Sequence, residues 1–152
     1  MRLASLLLVV AIAACSGSSA PSGPVIGERS STIDSVQVNG PLRLEARDMS
    51  LAAATVPFPA ASVTAATGAV VASNWQYGSL CQYSIAGNAD IHGSKIGVHV
   101  VLTPRLALCT AEVRVLQYTG TVTTAPGTYD VALVRELNGA QDTLARQTVT
   151  VR

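Results

Sequence analysis

From Ser31 onward, apolar residues tend to fall at every second position, the period of a β-strand with one buried face. "TIDSVQV" carries Ile33, Val36 and Val38 as its apolar positions. "NGPLRLEA" follows with Leu42, Leu44 and Ala46 on one face. Asn39-Gly40 is a turn signal between them, so the pair predicts a tight hairpin. Pro41 has no amide proton and puts the second strand at an edge or at its own start. "LEARDMSLAAA" also contains good helix formers, but strand is the preferred reading. Residues 51–66, rich in Ala, Thr, Ser, Val and Pro, predict an irregular connection with one short edge strand. Ala69–Tyr77 resumes as a strand and carries Trp75.

The alternation is clearest in the middle of the chain. Cys81, Tyr83, Ile85, Gly87, Ala89 and Ile91 share one face of "CQYSIAGNADI". "HGSK" turns, and Ile96, Val98, Val100 and Leu102 repeat the pattern, which predicts a long hairpin ended by Pro104 and Arg105. Residues 106–122 read as another long strand region. "APGT" turns into "YDVALVREL", with Tyr129, Val131 and Leu133 on one face. "NGAQD" turns into "TLARQTVTV", with Ala145, Val149 and Val151 on one face. Seven to nine short strands and no long helix predict an all-β antiparallel β-sandwich.

The N-terminus follows a different pattern. Arg2 precedes a nearly continuous apolar run over residues 3–14. About 12 residues are too few for a permanent membrane span, which needs about 20, and the run has the form of a secretory signal. Ala11-Ile12-Ala13 fits the small-x-small rule of an ordinary signal peptidase. Ile12-Ala13-Ala14-Cys15 resembles the bacterial lipobox, and this is the preferred reading. The resemblance implies that the Cys15 thiol takes a diacylglycerol, that Cys15 becomes the mature N-terminus, and that fatty acids such as palmitate anchor it. Ser16 at the next position resembles lipoproteins sorted to the outer membrane. Residues 16–27 hold too little apolar bulk to offset their ordering entropy and read as a tether. The chain therefore divides into a signal peptide at 1–14, a lipidated tether at 15–28 and a β-sandwich at 29–152.

Composition narrows the function. Aromatic residues are only 4%, so the core must be built from Val, Leu, Ile and Ala. Lys and Arg number 10 against 9 Asp and Glu, and one of the 10 is Arg2, in the signal. Such a balance carries no basic footprint for nucleic acid. The cysteines number 3. If Cys15 is a thioether, Cys81 and Cys109 remain as an even pair. In an exported compartment that pair reads as a structural disulfide rather than a redox pair or metal site. The intervening hairpin brings the two ends together, and apolar Leu80 and Leu108 beside them point to a bridge near the core.

Other candidate chemistry is sparse. His92 lies in the predicted turn with Lys95 nearby, and His99 alternates with Val98 and Val100, so it faces away from the core. Zinc needs three or four ligands, and no metal or cofactor is expected. There is no GxSxG elbow and no glycine-rich phosphate loop. A hydrolase without a recognisable motif is therefore only the third reading of function. Trp75 and Tyr77, two apart on one strand, share a face; core packing is preferred, and stacking on a sugar ring is the alternative.

"PGTYDVAL" followed by "RQTVTV" is similar to the closing hairpin of many bacterial immunoglobulin-like domains. "CTAEVRVLQYTGTVTTAPGTY" looks like segments of small bacterial lipoproteins. The resemblance implies an immunoglobulin-like β-sandwich, although the order Trp75, Cys81, Cys109 departs from the Cys, Trp, Cys order of true immunoglobulin domains. The resulting expectation is a lipid-anchored cell-envelope protein with a non-catalytic binding or scaffolding role toward an envelope protein or glycan. The alternative is a glycan- or small-ligand-binding module using Trp75 and Tyr77.

Overall fold

The computed structural model describes residues 35–109 and 111–152. The signal, the lipobox, Cys15, the tether and Ile33 lie outside the described residues. Among those described, nine strands form two sheets: β1 (Ser35–Asn39), β2 (Leu42–Ser50), β3 (Ser62–Ala66), β4 (Ala69–Tyr77), β5 (Tyr83–His92), β6 (Lys95–Pro104), β7 (Arg114–Thr123), β8 (Gly127–Leu137) and β9 (Ala140–Val151). One sheet has the order β1-β2-β7-β4-β3 and the other β5-β6-β8-β9. This is the all-β sandwich that the alternation predicts.

Each strand forms where apolar residues alternate and stops where a turn residue intervenes. Gly40 and Pro41 make a two-residue turn, with Gly40 at φ 58°, so β2 begins just after its proline. "LEARDMS" is strand, and only Leu51–Ala53 winds into a single 3-10 turn. The connection after it is irregular, and β3 is a short edge strand.

The core lies between the sheets. Leu42 and Leu44 of β2, Val98 and Leu102 of β6, Leu116 of β7 and Leu133 of β8 are among its fully buried members. Tyr118 is the aromatic residue buried among them. In β9 a register shift at Leu133/Val134 lets Leu144 and Ala145 both pack on the core, so the strand's single-face pattern is broken by a bulge. Tyr129 donates its hydroxyl proton to the Ala125 carbonyl at 3.0 Å, which ties the start of β8 to the turn before it.

Among the described strands all pairings but one are antiparallel; β6 and β8 run parallel, where the alternation had predicted an antiparallel sandwich. The chain rises along β6, crosses to the other sheet, descends along β7 and returns to rise along β8. A parallel pair needs a long crossover, and here a strand of the facing sheet supplies it.

The first strand shows its residues the opposite way from their hydrophobicity. Val36 and Val38 are exposed. The Gln37 carbonyl Oε1 accepts from the Gly87 amide at 3.0 Å, and the Asn39 Nδ2 donates to the Gly87 carbonyl at 3.2 Å. β5 is a sheet edge, and these two side chains satisfy backbone groups that would otherwise be unpaired.

Candidate functional site

The sandwich has two distinct ends. The lower end carries the turns at Gly40, Gly68 and Gly93 and the C-terminal Arg152, whose carbonyl accepts from the Gly68 amide at 3.0 Å. The upper end carries the finish of β2, β4, β6 and β8, the start of β5, β7 and β9, and two connections between the sheets. Most of the residues singled out from the sequence gather at the upper end.

Cys81 and Cys109 are bonded to each other, with Cα atoms 5.8 Å apart. That separation lies within the range a disulfide spans without backbone movement. Cys81 lies in the β4–β5 connection and Cys109 in the β6–β7 connection, so the bridge ties together two crossings between the sheets. The Arg105 amide, donating to the Gln82 carbonyl at 2.8 Å, ties them again. The bridge sits at the upper end with both cysteines partly buried. Leu80 packs partly against the core, but Leu108 points fully into solvent. Residues 106–109 and 111–113 are not strand either; β7 starts only at Arg114. With the bridge and Pro104 fixing its entry, this segment has no neighbouring strand to pair with.

A shallow, open groove of about 520 Å³ runs beside the bridge. Gln82, Tyr83, Pro104, Arg105, Leu108 and Cys109 line much of it. At the base of the loop Arg114 donates from Nε to Asp48 Oδ1 at 2.9 Å and from Nη1 to Glu112 Oε2 at 3.1 Å. The Asp48 hydrogen bond and the neighbouring negative charges raise the Arg114 pKa above its ordinary value, against partial burial. Asp48 Oδ2 also accepts from the Leu80 amide at 3.3 Å.

Trp75 and Tyr77 do not pack in the core. β4 turns Val70, Ala72 and Asn74 inward, and the strand period then puts Trp75 and Tyr77 together on the outer face. Tyr77 is 62% exposed and its ring lies 4.8 Å from that of Phe58, at 57°. Trp75 is partly buried. Beside Tyr77, Val115 is fully buried although it is on the outward side of β7. Core packing fails as a prediction because the inward set of β4 is Val70, Ala72 and Asn74, and strand alternation then leaves Trp75 and Tyr77 on the opposite face. Asn74 Nδ2 donates to the Tyr118 hydroxyl at 3.0 Å. Burial pushes the Tyr118 pKa up to about 12.

The same upper end holds a partly buried cation between the sheets. Arg135 donates from Nη1 to Gln76 Oε1 at 3.1 Å and from Nη2 to Asp142 Oδ2 at 2.7 Å. Among the described residues its buried Nε has no hydrogen-bond partner.

The histidines are elsewhere. His92 is exposed at the lower turn beside Lys95. His99 lies on the outer face of β6, its Nε2 3.4 Å from Asp90 Oδ2. Among the described residues no three His, Cys, Asp or Glu groups come together as metal ligands, and no helix is long and apolar enough to cross a membrane.

Sequence reasoning missed Phe58, Arg105, Leu106 and Leu108. The alternation in "RLALC" carried a signal, but it is indistinguishable from that of a half-buried strand. Comparison with known protein families, curated proteins and solved structures finds no match.

Proposed function

We propose that this chain is a lipid-anchored protein of a bacterial cell envelope, sorted to the outer membrane, whose β-sandwich binds or scaffolds an envelope component without catalysis. The carrying observation is the partition of the 3 cysteines. Cys81 and Cys109 engage each other, which leaves Cys15 as the odd thiol, and it sits at the end of Ile12-Ala13-Ala14. An unpaired thiol is a liability in an oxidising compartment, and a thioether to diacylglycerol removes it. Several acyl chains on one N-terminus give stable anchoring where a single chain would not. The test is intact-mass spectrometry of the mature protein from native membranes. An N-terminal Cys15 carrying diacylglycerol and a fatty acid is expected; a mature chain starting at Ala14 with a free thiol would refute the reading.

A second reading has an observation of its own. Trp75 and Tyr77 share the outer face of β4, and Tyr77 is exposed. Aromatic faces of this kind stack on sugar rings, so a glycan- or small-ligand-binding role rests on these two residues. Titration with envelope glycans, read by Trp75 fluorescence, tests it. A response lost in Tyr77→Ala supports it, and no response to any glycan removes it.

A further inference from the structure

The loop between β6 and β7 exposes more apolar surface than its sequence requires. Leu106 is 110% and Leu108 106% exposed, both beyond the exposure of an extended reference chain. Val113 adds a third exposed apolar side chain. A soluble loop normally folds such residues inward or replaces them. Here the disulfide at Cys109 and the Arg105–Gln82 hydrogen bond hold the strip away from the core. Arg105 lies at the base of the strip, exposed, and among the described residues no carboxylate pairs with it.

The direction of β1 gives this end a meaning. Ser35 pairs with Ala46 and Asn39 with Leu42, so β1 runs from its first residue toward the lower end. Its N-terminus is therefore directed at the upper end, the same end that presents Leu106 and Leu108. Ser35 is 20 residues from Cys15 by number, a chain length that spans up to about 65 Å when extended. On the lipid-anchor reading a chain of that length keeps the domain within reach of the bilayer and raises the local concentration of any weak second contact. The strip is too narrow for a stable protein interface, which needs about 800 Å² from each partner. Two leucines beside an arginine suit a lipid surface instead: the leucines enter the acyl boundary and the guanidinium meets headgroup phosphate.

We propose that residues 105–108 are a membrane-contacting strip that seats the upper end of the sandwich on the bilayer to which the chain is anchored. The inference rests on the lipid-anchor reading. It orients the outer face of β4, with Trp75 and Tyr77, close to the membrane rather than away from it.

The test uses the full chain, matured in cells and reconstituted into vesicles of phosphatidylethanolamine and phosphatidylglycerol with brominated acyl chains. Trp75→Phe removes the one tryptophan, and a new probe is introduced by Leu106→Trp or, at the lower end, by Thr67→Trp. The expected result is a blue-shifted emission and clear bromine quenching for the probe at position 106, with little of either at position 67. Mass spectrometry of the same samples reports acylation of Cys15. If Cys15 is acylated and both probes are quenched equally or not at all, the strip is not a membrane contact, while the anchor stands. A blue shift at position 106 without quenching, accompanied by a doubled particle mass, assigns the strip to a second copy of the chain and overturns the proposal. If Cys15 is not acylated, the anchor reading fails and the proposal, which rests on it, falls with it whatever the probes show.

Discussion

Replacing both Cys81 and Cys109 by alanine isolates the contribution of the bridge. The two residues are 28 apart in sequence and enclose the whole β5–β6 hairpin. In the chain-entropy account, closing a loop of that length removes freedom from the unfolded ensemble worth about 3–4 kcal/mol at 25 °C. In the folded state the hairpin already brings the ends together, with Tyr83 opposite Pro104 and the Arg105 amide bonded to Gln82. The variant should therefore keep its fold while its unfolded state gains entropy. For a domain of about 120 residues, unfolding entropy near the midpoint is about 0.25 kcal/mol/K, so Tm should fall by about 10–15 °C. The assay is thermal unfolding by circular dichroism in a Cys15→Ser background, which removes the third cysteine and with it the proposed anchor site. Reductant should lower the Tm of the parent by a similar amount and leave the double variant unchanged. A fall of less than about 3 °C would refute the reasoning, because a domain this small cannot hide a constraint of that size.

Further outcomes follow from other contacts. In Gly87→Ala the new methyl meets the His99 carbonyl at 2.9 Å and the Leu44 and Leu42 methyls at 3.0 and 3.1 Å, so urea unfolding should show a loss of about 1–3 kcal/mol. Gly97→Ala meets only the movable His99 ring and should cost clearly less. Tyr118 holds its proton in the fold up to about pH 12, whereas an unfolded tyrosine releases it near pH 10. Stability from this group is complete below about pH 10 and declines as pH rises toward 12, a steepening that urea titrations should find in the parent and not in Tyr118→Phe. Dialysed protein should retain no stoichiometric zinc at His92, Lys95 and His99, read by elemental analysis; retained metal would contradict the ligand count.

The local alternation of apolar and polar residues determined a large part of this protein by itself. It located β4, the β5–β6 hairpin and β8, and it identified Ile96, Val98, Val100 and Leu102 as core, because strand period two assigns a face without knowledge of the partner. Cysteine arithmetic paired Cys81 with Cys109 for a similar reason: the number of cysteines and their spacing are read from the chain itself. What the alternation could not supply is which face of a strand finds a neighbour. Val36 and Val38 turn outward because Gln37 and Asn39 are needed at the open edge of β5, a strand some 50 positions further along the chain. Trp75 and Tyr77 turn outward because Asn74 is committed to Tyr118 across the sheet. Leu106 and Leu108 carry the pattern of a strand but lie in the β6–β7 crossing beside the disulfide and belong to neither sheet. The parallel pairing of β6 and β8 likewise depends on β7 crossing to the other sheet. Each of these outcomes is set by hydrogen-bonding groups distant in sequence that must be satisfied at the same moment as the core is buried, and only the assembled sandwich brings those groups together.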